Sequence, residues 1–200
     1  MKRTLLIIAT FLLCSVTSYA QQRDLIKGFS GGMMIHGGYQ TGCDNPFGYN
    51  MQGATLGIGG VARLHLTDHF RTGFEGYVST LGLRNDIAKG SHNKIFWTGL
   101  LTDWYWQRGK FYPYAGITIG GGMETTYLMF DGSSDDWQRE ENAVFRKAGF
   151  VAVDPFAGCD IAIGEAVRLT FKVDWLLAIR KQELNRPCGP RFYIGFIFAH

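Results

Sequence analysis

The chain has 200 residues, 46% of them hydrophobic, with 20 Lys and Arg against 17 Asp and Glu for a formal charge of +3. That near balance excludes a basic nucleic-acid surface and an acidic disordered tail. No segment beyond residue 20 supplies eighteen consecutive apolar residues, which excludes helical membrane spans. The 27 glycines follow no Gly-x-y period, which excludes a collagen helix.

The chain opens with Lys2 and Arg3, an apolar run from Leu5 to Cys14, and the small-x-small site Ser18-Tyr19-Ala20 before Gln21. This is the pattern of an export signal over residues 1–20, followed by one domain over 21–200. Cys14 invites a lipoprotein reading, but Leu13 before it is large where an acylation site wants a small residue.

Eight strands are predicted, at Gly28–Gln40, Ala54–Leu66, Phe70–Leu81, Lys94–Tyr105, Phe111–Tyr127, Lys147–Ile163, Val167–Ile179 and Arg191–Ala199. The seventh is the clearest. Val167, Leu169, Phe171, Val173, Trp175, Leu177 and Ile179 form one face, and Arg168, Thr170, Lys172, Asp174 and Leu176 the other. A period of two is strand geometry. Exported strands of this kind fit a closed barrel with apolar side chains toward lipid and charges toward the interior. The connectors alternate short and long, starting with a long one at 41–53 and a short one at 67–69. Tight periplasmic turns and longer external loops produce that order in outer-membrane barrels.

The same alternation assigns the other faces. In the second strand Leu56, Ile58, Ala62 and Leu64 point out, with Thr55, Val61, Arg63 and His65 inside. The third puts Phe70, Thr72, Phe74 and Val78 out and Arg71, Glu75 and Tyr77 in. The fifth puts Ala115, Ile117 and Ile119 out, with Tyr112, Tyr114, Thr118 and Glu124 in. The eighth has Phe192, Ile194, Phe196 and Phe198 outside, against Arg191, Tyr193 and Gly195. In the fourth, Ile95, Trp97 and Leu101 suggest the outward face, which sends Asp103 outward as well. Aromatics near strand ends (Trp97, Trp104, Tyr105, Trp106, Phe111, Tyr112, Tyr127 and Trp175) suit headgroup-level girdles. Soluble sandwiches and lipocalin-like barrels share period-two patterning and remain the alternative. Glycine enrichment is expected to serve close packing within a narrow, curved barrel.

Three stretches carry a resemblance: Tyr112-Pro113-Tyr114-Ala115-Gly116-Ile117 through Gly120-Gly121-Gly122, Pro155-Phe156-Ala157-Gly158, and the finish from Phe192 to Phe198. In these the chain resembles the small outer-membrane β-barrels of the OmpA/OmpX-like superfamily, especially of the Bacteroidetes type. The resemblance implies an all-β, eight-stranded antiparallel up-and-down barrel in the outer membrane of a Gram-negative bacterium, both termini periplasmic. It also implies outer-membrane lipid and the barrel assembly machinery as partners. Many such proteins end on an aromatic residue, whereas this chain ends Phe198-Ala199-His200.

Arg63, Arg71, Glu75, Glu124, Asp154, Asp160, Arg168, Lys172, Asp174 and Arg191 are predicted to face inward. Both signs are present, so a paired polar plug can hold them without isolated buried charges. A narrow ion path or small-ligand cavity is the other use of such a lumen. No catalytic residues, metal site or cofactor are assigned. His36, His65, His69 and His92 are conceivable bases and Ser30, Ser79, Ser91, Ser133 and Ser134 conceivable nucleophiles, but no G-x-S-x-G or H-E-x-x-H occurs. Asp131, Asp135, Asp136, Glu140 and Glu141 read as a solvated acidic loop in preference to a calcium site. Of the mature cysteines, Cys43 and Cys188 fall in the first and fourth external loops, which closure makes neighbours. A Cys43–Cys188 disulfide across the seam is one expectation, two free thiols the other. Cys159 falls on the outward face. The role expected is a non-enzymatic barrel that presents external loops for structural or binding roles, with an unidentified extracellular ligand and no nucleic acid as partner. A narrow channel or a lipid A-modifying enzyme are the alternatives.

Overall fold

In a computed structural model, which describes residues 26–41, 52–82, 92–129, 143–180 and 187–199, every described strand joins one closed antiparallel barrel. The strands are β1 (Gly28–Gln40), β2 (Gly53–His65), β3 (Phe70–Gly82), β4 (His92–Tyr105), β5 (Phe111–Met129), β6 (Ala143–Ala162), β7 (Val167–Ile179) and β8 (Gly189–Ala199). Each pairs with its sequence neighbours, and β8 closes onto β1 from Ser30–Ala199 to Gly38–Arg191. This is the eight-stranded up-and-down barrel expected from the alternation. The export signal lies outside the described residues.

Following the pairings from Asp160 through Thr170, Gly195, Met34, Gly59, Tyr77, Trp97 and Gly122 returns to β6 at Phe150, ten residues from the start. A closed eight-stranded wall with this stagger has strands tilted by roughly 40°. Its interior is narrow enough for side chains to fill. Large rings lie across from glycines: a Cβ on Gly59 would overlap the Tyr77 ring opposite it, and one on Gly122 would overlap Phe150. Glycine at these positions makes room for the rings that plug the lumen.

The two faces differ as a lipid-facing barrel requires. Phe29, Met33, Ile35, Leu56, Phe74, Leu100, Ile119, Phe171, Val173, Phe192, Ile194 and Phe196 are exposed on the outer face. Ten Asp, Glu, Lys and Arg side chains are buried inside. A soluble protein rarely exposes more than a few hundred Å2 of contiguous apolar surface, and an apolar outer face of this kind is stable in hydrocarbon.

β4 corrects the expected faces. Ile95, Trp97, Leu101 and Asp103 all point inward and are buried, while Phe96, Leu100 and Trp104 take the outer face. The strand has large apolar residues on both faces, so hydrophobicity could not set its sign. The aromatic girdle changes accordingly. Trp104, Trp106, Phe111 and Trp175 are exposed, whereas Trp97, Tyr105 and Tyr112 turn toward the lumen.

Candidate functional site: a tiered polar lumen

The strand register stacks the inward charges into tiers. The tier nearest the short turns is built by β2, β3, β4 and β6. Arg71 donates from Nε to Asp103 Oδ1 at 2.6 Å and from Nη2 to Asp103 Oδ2 at 3.1 Å, a two-point pair. Its Nη1 donates to Asp160 Oδ2 at 3.1 Å, and Thr170 donates to the other Asp160 oxygen at 2.7 Å. Arg63 lies 3.3 Å from Asp103 and 3.5 Å from Asp160, with its guanidinium 4.6 Å from the Tyr114 ring centroid. Two arginines thus face two aspartates in a dry setting, where an unbalanced charge would be costly. Arg168 lies on this side too, with its guanidinium 4.0 Å from the Tyr112 ring centroid.

The middle tier centres on Lys172. Its Nζ donates to both Glu75 oxygens at 2.8 Å and lies 3.6 Å from Asp174 and 4.0 Å from Asp154. Thr118 donates to Glu75 Oε1 at 2.6 Å and Tyr77 to Oε2 at 3.2 Å, which completes that carboxylate. The carboxylate oxygens of Asp154 and Asp174 make no close hydrogen bond among the described residues. Arg191 stacks 4.5 Å from the Trp97 ring centroid and donates to the Gly189 carbonyl at 3.3 Å. His36 is packed among Tyr77, Trp97 and Tyr193, and neither ring nitrogen has a hydrogen-bond partner among the described residues. Nearer the long connections, Asn93 donates to Glu124 at 2.8 Å, and Arg180 lies 3.6 Å from the other Glu124 oxygen.

Asp103 and His36 are among the polar lumen residues that the sequence reading did not assign inward. The register held a signal for Asp103. Arg63, Arg71 and Arg168 crowd the short-turn end, where Asp160 alone cannot balance them.

Chemistry is limited by what the tiers bring together. Ser30 Oγ lies 2.9 Å from His65 Nε2, the one serine–histidine contact of a catalytic kind among the described residues. Ser30 is buried, no carboxylate among the described residues is hydrogen-bonded to the His65 ring, and Arg71 sits directly opposite it across the β2–β3 ladder. A general base that must become cationic is poorly served beside guanidinium groups. Among the described residues, no three His, Cys, Asp or Glu side chains form a metal site. The acidic residues from Asp131 to Glu141 lie outside the described residues. So does Cys43, while Cys188 lies at the β1–β8 seam and Cys159 on the outer parity of β6.

Outside the spans, Lys27 donates to Asp68 at 2.7 Å. This hydrogen bond and the lysine's charge hold the Asp68 carboxyl below its usual range.

An inside-out eight-stranded barrel with a charged, side-chain-filled lumen is the class that fold and lumen define. No family model matches the chain, and no curated protein matches it by sequence. Solved structures share the fold. Neisserial surface protein A is 13% identical with a TM-score of 0.56, over 86% of this chain and 95% of that one. Ail, the attachment invasion locus protein of Yersinia pestis, solved with the heparin analogue sucrose octasulfate, is 8% identical with a TM-score of 0.54, over 88% of this chain and all of that one. At these identities the likeness establishes the fold. It lends no support to the Bacteroidetes type.

Proposed function

We propose that the protein is a non-enzymatic outer-membrane barrel whose packed polar interior holds a rigid wall and whose long connections face outward, for structural or binding roles. The observation that carries this reading is the inversion of polarity, with exposed Phe and Ile side chains outside and buried ion pairs within. The shared fold with surface barrels supports the placement. Both described chain ends, near Ile26 and Ala199, lie at the short-turn end, which in this reading is periplasmic. Membrane lipid is then the surrounding partner, and assembly machinery is met during insertion.

Arg71–Asp160 and Lys172–Glu75 cross the lumen at hydrogen-bond distance and support a plug over a channel. A disulfide between Cys43 and Cys188 belongs to the same proposal, because Thr41, two residues before Cys43, already pairs with Cys188. Membrane fractionation with heat-modifiable migration tests the placement, and recovery as a soluble periplasmic monomer would overturn it. In planar bilayers the plug predicts silence; stepwise conductance would favour a channel instead.

A further inference from the structure

The outer face is not equally smooth all round. The outward positions of β7 and β8 carry large side chains such as Phe171, Val173, Phe192 and Ile194, with no glycine or alanine among them. On β1–β4 the outward rows are broken by small residues. There a groove of about 260 Å3 runs between the row Phe29–Leu64–Thr72 and the row Ala62–Phe74–Leu100, each row formed by residues paired across neighbouring strands. Phe29, Leu64, Phe74 and Leu100 are its walls, and the short side chains of Ala62 and Thr72 lie low between them with the Gly73 backbone.

The lining offers nothing to a polar ligand. Its one polar side chain, Thr72, already donates its hydroxyl to the Leu101 carbonyl at 3.1 Å. Past Ala62 the low ground continues over the outward face. Gly60 and Gly76 pair across β2–β3, and Thr98 follows on β4 with its hydroxyl donated to the Glu75 carbonyl at 2.8 Å. The resulting track is long and thin. At about 260 Å3 the groove is smaller than the roughly 300–1,000 Å3 of pockets that enclose a drug-sized ligand.

The depth fits an acyl chain. Leu64–Thr72 is the last β2–β3 pair but one before the short turn, so the groove lies in the short-turn half of the wall. Trp104, exposed and set against Phe70 with ring centroids 6.3 Å apart, stands at headgroup level below it. Leu100, on the same strand and parity as Trp104, is about 10 Å deeper at roughly 3.3 Å per residue and a tilt of about 40°. That interval belongs to the chains of one leaflet, and the groove is continuous with the lipid-facing surface. A chain that passes over the walls leaves the floor atoms without partners, whereas one laid along the floor gains those contacts. We propose that this groove binds one acyl chain of a phospholipid in the leaflet on the short-turn side, laid over Thr72 and Ala62 toward Gly60 and Gly76. The proposal rests on the bilayer placement argued above.

The test uses the full chain folded into phosphatidylcholine vesicles doped with a phosphatidylcholine that carries a diazirine midway along one acyl chain. After illumination, adducts are mapped by peptide mass spectrometry. The expected result is severalfold more adduct on the β2 and β3 peptides that hold Ala62 and Thr72 than on the β7 and β8 peptides that hold Val173 and Ile194. Ala62→Leu, which raises the floor, should lower the β2–β3 adduct severalfold and leave the β7–β8 adduct as it was. Equal adduct on the two sides, or an unchanged β2–β3 adduct in Ala62→Leu, would overturn the site. So would loss of the β2–β3 excess when barrels are crowded in the vesicle, which would make a second copy the occupant. If Ala62→Leu fails to fold, Leu100→Ala, which removes a wall, takes its place with the same expected and contrary results. Heat-modifiable migration is read on the same samples. A chain that never inserts refutes the bilayer placement, whereas an inserted chain labelled evenly refutes only the groove.

Discussion

The two inner tiers of the barrel solve the same problem differently. Near the short turns, Arg63 and Arg71 meet Asp103 and Asp160 one for one, and Arg71 uses three separate nitrogens to hold both acids. In the middle, Lys172 and Arg191 stand among Glu75, Asp154 and Asp174, and only Glu75 is fully hydrogen-bonded. The lower tier is a closed set of fixed charges. The middle tier has an excess of acid and spare acceptors. Removing one partner should expose that difference, because guanidinium stays charged at all accessible pH values while a carboxylate can be neutralised.

The largest effect is expected from Asp103→Leu. It strands two buried arginines beside one aspartate, and the loss should be about 3–5 kcal/mol in urea unfolding from vesicles. That loss should not recover on acidification. A variant as stable as the parent would remove the ion-pair reading of this tier.

Lys172→Met should cost a similar or smaller amount at neutral pH, on the order of 3 kcal/mol. Here acidification protonates the stranded carboxylates and relieves their repulsion, so the deficit should shrink as pH falls. Parallel pH profiles for the two variants would erase the contrast between the tiers.

Packing comes next. Gly59→Val places a branched side chain against the Tyr77 ring and should destabilise the barrel by about 1–3 kcal/mol, read as a lower urea midpoint. At the seam, maleimide labelling of Cys43 and Cys188 should require prior reduction; labelling of both thiols without reductant would remove the proposed bridge. The smallest effect is expected outside the spans. Lys27→Ala breaks an exposed pair with Asp68 and should leave the unfolding midpoint unchanged.

Most of the wall was legible because alternation is a strong signal wherever one face is charged. β7 carries Lys172 and Asp174 on one parity and Phe171, Val173 and Trp175 on the other, and its limits match the sequence reading residue for residue. β4 was not legible in the same way. Its inward set of Ile95, Trp97, Leu101 and Asp103 is nearly as apolar as its outward set, and one aspartate did not outweigh three large side chains. Its sign depends on the pairing of Arg71 with Asp103 across the β3–β4 ladder, a long-range match that local patterning does not contain. The lumen of β1 was hidden for another reason. Ser30, Met34, His36 and Gln40 carry no formal charge, yet their parity is set by closure onto β8.

Nitroxide labels at Phe171 and Phe196, read by power-saturation spectroscopy in phospholipid vesicles, test the inside-out wall most directly. Collisions with dissolved oxygen should dominate at both sites, with little access for a water-soluble nickel chelate. Dominant access to the chelate would place these side chains in water and contradict a barrel that faces lipid with its apolar surface.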